Sequence, residues 1–256
     1  MENLKDKRVL ITGASSGIGR AMAISLARRG CELFLLARRK EKLEELQRDL
    51  LVDNHQLKIT LIVADVTSPD LPNLLRAICR EHVDILINNA GLALGRDKVE
   101  NSNFEDMKAM LDTNITAAFR VVHTILPWML KHGSGDIINL GSIAGHRTYS
   151  GGAIYCATKF AVDAFTKALR EETAGKNIRV MQISPGMVDT EFSTVRFKGD
   201  VKTANSVYAG MKPLVGEDIA RMMTFMLSEP RHVVIDEIIT MPMDQGSPTT
   251  IHRSSP

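Results

Sequence analysis

The residues best suited to chemistry lie in the stretch 141–159. Tyr155 and Lys159 are four residues apart on a predicted helix that begins near Ala153, so their side chains project from one face. A phenol has a pKa of about 10, and a neighbouring ammonium lowers it toward the range of an effective general acid or base. Ser142 ends a predicted strand, where its hydroxyl can bind a substrate oxygen. Because Tyr-x-x-x-Lys also occurs on ordinary exposed helices, the pair alone does not define a site.

A glycine-rich loop joins the first predicted strand to the first predicted helix. Gly13 permits a tight turn, Gly17 lets the backbone approach a pyrophosphate, and Gly19 lets the helix pack closely on the sheet. The free N–H groups of the helix amino terminus favour the same anion. The glycine spacing differs from the G-x-G-x-x-G of the standard dinucleotide-binding motif. The interpretation as a pyrophosphate-binding loop therefore rests on the position of the loop between a strand and a helix. The predicted cofactor contacts of this loop are Gly13, Ser15, Ser16, Gly17, Ile18 and Gly19.

The end of the second predicted strand indicates which nucleotide binds. An NAD site usually has an acidic residue there for the ribose 2′-hydroxyl, whereas this chain has Arg38 and Arg39. Two guanidinium groups, with the Ser15 hydroxyl nearby, suit a 2′-phosphate. The alternative is a solvated basic helix start, since Lys40 and Lys42 follow. We favour NADP(H) as the cofactor.

Two further strand ends supply predicted cofactor contacts. Asp65 and Val66 follow the third strand and are placed to serve the adenine. Asn88, Ala90 and Gly91 follow the fourth strand and are expected to pass under the ribose. Open α/β sheets bind ligands at the carboxyl ends of their strands, where all of these residues lie.

Strands and helices alternate along the chain, and most predicted strands are continuous apolar runs. This pattern predicts an α/β fold: one doubly wound Rossmann domain over residues 1–256, with a seven-stranded parallel sheet and helices on both faces. Pro127 is expected to kink the fourth helix. The predicted strands are 8–12, 32–37, 58–64, 84–87, 136–140, 178–184 and 233–240, and the predicted helices are 17–29, 40–51, 70–81, 104–131, 153–174 and 217–227.

Two segments fall outside this alternation. From 186 to 213 the periodicity fails, which indicates a substrate lid over the active-site edge. The tail 242–256 is rich in Pro, Ser and Thr and is not expected to fold alone.

Composition limits the classes of function. The 256 residues include 32 basic and 30 acidic side chains, mixed along the chain, so we expect no nucleic-acid partner. Apolar runs are too short to span a membrane. The three cysteines have unrelated spacings, which predicts neither a metal site nor a disulfide framework. With a charged amino terminus and no visible signal peptide, these features predict a cytoplasmic protein.

The ordered set of motifs resembles the short-chain dehydrogenase/reductase family over nearly the whole chain. The resemblance implies that Tyr155 is the proton donor or acceptor, that Ser142 positions the reacting oxygen, and that Lys159 holds the nicotinamide ribose and lowers the Tyr155 pKa. It also implies that Asn114 orders a water for proton relay; the alternative is an amide bonding its own helix. The motifs are the loop 12–19, Asp65, the segment 88–91, Asn114, Ser142, Tyr155 with Lys159, and the segment 185–190, whose Pro185, Gly186, Val188 and Thr190 would bracket the carboxamide.

Less generic stretches are similar to the NADP-dependent 3-hydroxy acid dehydrogenases, which include serine and allo-threonine dehydrogenases. These stretches are 88–95, 191–200 and 245–253. The resemblance implies a homotetramer and a small 3-hydroxy acid as substrate. Arg196 in the lid is our hypothesis for the substrate carboxylate, with Arg147 as its rival, and the resemblance suggests that Arg253 of the tail reaches a neighbouring subunit.

Two alternative functions remain open at this point. One is a broad NADPH carbonyl reductase acting on ketones, aldehydes or steroid-like substrates with the same chemistry. The other is a catalytically silent NADPH-binding regulator, which the complete set of Asn114, Ser142, Tyr155 and Lys159 argues against.

Overall fold

The computed structural model describes residues 3–254 of the chain. Residues 1–2 of the charged amino terminus and 255–256 of the tail lie outside the described part. The strands are β1 Arg8–Thr12, β2 Glu32–Ala37, β3 Ile59–Val63, β4 Ile85–Asn88, β5 Gly135–Leu140, β6 Ile178–Pro185, β7 Val188–Asp189, β8 Leu214–Val215 and β9 Glu237–Thr240. The helices are α1 Gly17–Ala27, α2 Lys40–Asp53, α3 Leu71–Cys79, α4 Phe104–Leu111, α5 Ala118–His132, α6 Ala153–Thr173, α7 Glu191–Arg196, α8 Val201–Ser206 and α9 Gly216–Ser228.

Seven strands form one parallel sheet in the order β3-β2-β1-β4-β5-β6-β9. The predicted doubly wound fold with a seven-stranded sheet is therefore confirmed. The strand order reverses between β1 and β4, so the chain leaves these neighbours in opposite directions. A crevice opens at such a switch point, at the carboxyl ends of the strands.

Both faces of the sheet are covered by helices, which explains the unbroken apolar runs. Ile11 of β1 belongs to the core beneath α1, α2 and α9, whereas its neighbour Leu10 faces the core beneath α3 and α5. Side chains alternate between the faces of a strand, so a strand buried on both sides needs apolar residues at every position. Leu10 and Ile11 are both fully buried.

The helix predicted over 104–131 is divided, as expected, but the division does not lie at Pro127. The division is a π-helical segment, Asp112–Ala117, whereas Pro127 lies inside the continuous α5. Pro127 is on the exposed face of that helix, where water can satisfy the carbonyl that its missing N–H leaves unpaired.

The carboxyl-terminal third also differs from the sequence-based expectations. The last sheet strand covers only Glu237–Thr240 of the predicted 233–240. The segment 186–213 is not irregular throughout, because it contains α7 and α8, and β7 pairs in parallel with β8. Among residues 3–254, no helix combines the length and hydropathy that crossing a membrane requires.

A buried ion pair joins the neighbouring strands β5 and β6 of the sheet. Asp136 and Arg179 lie opposite each other on β5 and β6, and the guanidinium donates to both carboxylate oxygens at 2.7 and 2.9 Å. Arg231 donates to the same carboxylate at 2.5 Å. The side chains of Arg179 and Asp136 are only 2% and 7% exposed. Removing the carboxylate would take away charge-assisted hydrogen bonds that Arg179 and Arg231 make in a buried setting.

We therefore predict that Asp136→Ala lowers the free energy of unfolding by about 3–5 kcal/mol. Glu44→Ala is the control, because it removes the exposed pair with Lys40 and should cost less than about 1 kcal/mol. Urea denaturation measures both. Equal costs for the two variants would show that burial of the Asp136 pair does not matter.

Candidate active site

Ser142 and Tyr155 meet at the carboxyl end of β5. Ser142 has an extended backbone and precedes a short 3-10 turn, Ile143–Gly145, accepting a hydrogen bond from the Ala144 N–H at 3.1 Å. Ser142 and Tyr155 both line the cleft, and Ser142 is close enough to lower the pKa of the phenol against the larger effect of burial.

Lys159 lies one helical turn beyond Tyr155 and is only 5% exposed. Its ammonium nitrogen donates to the Leu140 carbonyl at 2.8 Å and is 5.9 Å from the centre of the Tyr155 ring. Burial lowers the pKa of Lys159 from 10.5 to about 8. The amine therefore titrates within the range in which a group can relay a proton.

The expected lowering of the Tyr155 pKa is not found in this structure. Burial is the largest influence and raises the pKa of the phenol, while the hydrogen bond from Ser142 and the charge of Arg196 act in the opposite direction. The physical reason is that Tyr155 and Lys159 are buried together, which disfavours phenolate and ammonium alike.

Asn114 lies in the π-helical segment and is buried. Its amide donates to the Leu92 carbonyl at 2.8 Å and the Thr158 hydroxyl at 3.1 Å, and its oxygen accepts from the Leu92 N–H at 2.8 Å. The side chain therefore joins the loop after β4 to α6 rather than bonding its own helix. The proton relay assigned to Asn114 stays a prediction.

The cleft at the switch point has a volume of about 420 Å³, within the range of small-molecule sites. Most predicted cofactor residues line it: Gly13, Ser15, Ser16, Gly17, Ile18, Arg38, Arg39, Asp65, Val66, Ala90, Gly91, Tyr155, Lys159, Pro185, Gly186, Val188 and Thr190. Asn89, which belongs to the predicted segment 88–91, lines it as well. The sequence analysis missed Leu36, Ala64, Leu92, Thr113, Leu140, Gly141, Glu191, Phe192 and Val195.

Gly13 and Gly19 let the loop between β1 and α1 pack tightly. Gly13 has a φ of +69°, and a Cβ there would lie 2.9 Å from the Asn89 amide nitrogen. A Cβ on Gly19 would collide with the Gly13 carbonyl. Gly19 is therefore a packing residue, consistent with its absence from the lining of the cleft over the described residues.

Asn88 does not take the place predicted for it. Its amide is buried and donates to Asn139 at 3.0 Å and to the Ala118 carbonyl at 3.1 Å. Asn89 lines the cleft instead and donates to the Thr12 carbonyl at 2.9 Å. Adjacent side chains at a strand end point to different sides. Because both residues are asparagine, the sequence does not show which of the two faces the cleft.

The charged residues after β2 converge on the adenosine end of the cleft. Arg39 donates from one terminal nitrogen to the hydroxyls of Ser15 and Ser16, at 3.2 and 2.7 Å. Hydroxyls and a guanidinium grouped in this way fit the acceptor oxygens of a phosphate. Arg38 is more exposed and lies 3.6 Å from Asp65.

Asp65 is held as an anion at the same end of the cleft. Burial raises its pKa, but hydrogen bonds from Thr67 and the charge of Arg38 outweigh burial and bring the pKa below its ordinary value. A carboxylate here can accept from an amino group such as that of adenine.

Helix α7, which lies in the segment predicted as a lid, contacts Tyr155 directly. The Phe192 ring centre is 5.7 Å from that of Tyr155. Arg196 donates to the Gly95 carbonyl at 2.9 Å and to the Tyr149 hydroxyl at 3.0 Å, and its guanidinium carbon lies 6.0 Å from the Tyr155 ring centre. Sequence reasoning singled out neither Phe192 nor Tyr149, although both lie in segments that it examined.

The two other arginines considered for substrate or subunit contacts bond within the chain. Arg147 is exposed and donates to the Gly246 carbonyl at 3.1 Å. Arg253 bonds the carbonyls of Ala209 and Val207 in the lid. The guanidinium of Arg253 thus contacts the segment 186–213 of its own chain, and its reach toward a neighbouring subunit stays a prediction.

We predict that Lys159→Met stabilises the fold at neutral pH while removing activity. Below pH 8 Lys159 is protonated in both folded and unfolded chains, and burial of the charge costs roughly 3 kcal/mol. As pH rises from 8 to 10.5 the folded protein loses its proton first, so the wild type regains this stability and the advantage of the variant shrinks. Urea denaturation at pH 7 and pH 10 measures the change; an advantage independent of pH would contradict the assignment.

Comparisons with known proteins place this geometry in a family. The short chain dehydrogenase profile matches residues 7–200. The chain is 42% identical to the NADP-dependent 3-hydroxy acid dehydrogenase of Schizosaccharomyces pombe over 99% of each chain, and 37% identical to serine 3-dehydrogenase of Agrobacterium fabrum over 93% of this chain and 94% of that one. The closed form of serine dehydrogenase complexed with NADP⁺ superposes with a TM-score of 0.88 at 36% identity, over 96% of this chain and 99% of that chain. With its sheet, its glycine loop and its Ser142–Tyr155–Lys159 cluster, the chain belongs to the short chain dehydrogenase family.

Proposed function

We propose that this protein is an NADP-dependent oxidoreductase that transfers hydride reversibly between NADP(H) and the hydroxyl carbon of a small 3-hydroxy acid. The observation that carries the substrate class is the position of Arg196, whose guanidinium lies beside the Ser142–Tyr155 pair. The names of the similar proteins from Schizosaccharomyces pombe and Agrobacterium fabrum support the same class.

Arg196 has capacity left for a substrate carboxylate. Its Nε and one terminal nitrogen are used by Gly95 and Tyr149. Within residues 3–254, its second terminal nitrogen makes no hydrogen bond of its own. A guanidinium fixed at two points in this way is preorganised to bind an anion.

The donor set at the adenosine end fits NADP(H). Ser15, Ser16 and Arg39 would bind the 2′-phosphate. The free N–H groups at the start of α1 would bind the pyrophosphate, and Lys159 would bind the nicotinamide ribose. When bound, the nicotinamide supplies the hydride acceptor for oxidation and the donor for reduction.

The chain's own residues then handle the proton and the geometry. Ser142 would hold the reacting oxygen against Tyr155, which as phenolate would accept the hydroxyl proton in oxidation and as phenol would return it in reduction. Phe192 and the rest of α7 cover Tyr155, which limits water at the reacting carbon. Lys159, with its pKa of about 8, is placed one turn away to pass the proton onward.

The first prediction concerns the phenol. Tyr155→Phe should reduce turnover about 10²- to 10⁴-fold, the usual contribution of a general acid or base, while NADPH binding stays within twofold of wild type. Steady-state rates and fluorescence titration with NADPH measure the two effects. A wild type that binds NADPH but turns over no alcohol, acid or carbonyl compound would instead identify a silent regulator.

The second prediction concerns substrate class. Arg196→Met should raise KM for L-serine, 3-hydroxybutyrate, 3-hydroxyisobutyrate and 3-hydroxypropionate about 10- to 100-fold, consistent with loss of a charge-assisted contact. It should leave neutral secondary alcohols nearly unchanged. Arg147→Met is the matched comparison, since it removes a second guanidinium from the neighbouring loop.

Three results would change the assignment. Equal losses on acids and neutral alcohols would remove Arg196 from carboxylate binding. A selective loss in Arg147→Met would transfer that role to Arg147. Wild-type turnover of neutral alcohols alone would favour a broad NADPH carbonyl reductase.

We also propose that the protein is a cytoplasmic homotetramer. Phe104 on α4 is 73% exposed and Phe160 on α6 is 41% exposed, as expected for faces that another subunit covers. Analytical ultracentrifugation of the wild type and of a Phe104→Glu, Phe160→Glu variant measures the assembly. A monomeric wild type would contradict it.

A further inference from the structure

One acidic residue of the lid reaches across the nucleotide cleft. Glu191 is the first residue of α7, and its carboxylate accepts from Arg39 at 2.6 Å and lies 3.5 Å from the Lys42 ammonium. Arg39 follows β2, and Lys42 lies in the first turn of α2. The ion pair between Glu191 and Arg39 therefore joins two parts of the chain that lie 152 residues apart in sequence.

The same guanidinium is the one placed for the 2′-phosphate. Arg39 contacts Ser15 and Ser16 through one terminal nitrogen and Glu191 through the other. The Glu191 carboxylate thus occupies one of the two terminal nitrogens of Arg39 that a phosphate would bind. A phosphate monoester carries about −1.5 to −2 charges and three strong acceptor oxygens, whereas the 2′-hydroxyl of NAD carries no charge.

We propose that Glu191 is a cofactor-selecting residue whose carboxylate stands in for the 2′-phosphate on Arg39 and Lys42, and that NADP(H) binds by displacing it. The inference rests on the proposed role of Arg39 in binding the 2′-phosphate. A nucleotide without that phosphate leaves the ion pair intact. Breaking the ion pair of Glu191 with Arg39 and Lys42 costs free energy that binding of the 2′-phosphate must supply. Glu191 therefore lowers the affinity for NADP(H) and favours release of the cofactor after turnover.

Helix α7 connects the Glu191–Arg39 ion pair to the surroundings of Tyr155. Within six residues, α7 carries Glu191 at the phosphate end, Phe192 against Tyr155, and Arg196 against Tyr149. The Thr190 hydroxyl caps the helix by accepting from the Phe192 N–H at 3.3 Å. Release of Glu191 from Arg39 therefore frees the amino-terminal end of the lid helix that covers the catalytic tyrosine.

The test uses adenosine 2′,5′-bisphosphate and ADP, neither of which contains nicotinamide. Both carry two phosphate groups, but only the bisphosphate has one of them at the 2′-position. Isothermal titration should show that Glu191→Gln binds the bisphosphate about three- to tenfold more tightly than wild type, as expected for removing one anion near another. Its affinity for ADP should stay within twofold. Glu217→Gln is the matched control, because Glu217 is exposed and lines the neighbouring groove beside Lys42.

A second measurement follows the lid. In the wild type, the bisphosphate should speed amide hydrogen exchange in 191–196 at least threefold, and ADP should not. In Glu191→Gln these amides should exchange fast without ligand and respond equally to both nucleotides. These readouts need neither substrate nor turnover, so a wrong substrate class leaves them unaffected.

Each negative outcome has a distinct meaning. Unchanged bisphosphate affinity in Glu191→Gln, or an equal gain in Glu217→Gln, would overturn the displacement. Arg39→Ala should bind the bisphosphate and ADP with similar affinity. If it still prefers the bisphosphate, the role of Arg39 fails, and the inference about Glu191 fails with it.

Discussion

The Thr12 hydroxyl holds together the two strands between which the cleft opens. It accepts from the backbone N–H groups of Asn89 and Ala90, both at 2.9 Å. At a switch point the connections leave adjacent strands in opposite directions, so no helix crosses over the gap. The loops that bound it therefore need their own hydrogen bonds. This contact fixes residues 89–90, after β4, against the end of β1, where the glycine loop begins.

The second constraint is the burial of ionisable groups beside one another. Tyr155 and Lys159 share a pocket in which neither charged form is favoured, because burial raises the phenol pKa and lowers the amine pKa. The protein thus keeps both groups neutral more readily than water would. A charged ligand bound in this cleft would alter that balance, so ligand binding and the protonation of these two groups would be coupled by electrostatics.

The parts of the structure that could be predicted from the sequence are those fixed by local pattern. Continuous apolar runs predicted the seven sheet strands, and the Tyr155–Lys159 spacing predicted a shared helix face. The choice between Asn88 and Asn89 could not be made, because it depends on the side to which the last strand residue points. The contact between Glu191 and Arg39 is set by tertiary folding alone. The π-helical segment was missed because a short run of i→i+5 hydrogen bonds has no residue-type signature of its own.

The tail described above has a consequence for how this fold can diversify. His252 and Lys212 both donate their N–H groups to Asp244, at 2.8 and 3.0 Å, and Ser254 donates to the Gly210 carbonyl at 2.8 Å. The described residues of the tail thus contact the segment 186–213, and none of them lines the nucleotide cleft. Substitutions in the tail can therefore alter the contacts of this segment while every residue that lines the cleft keeps its identity.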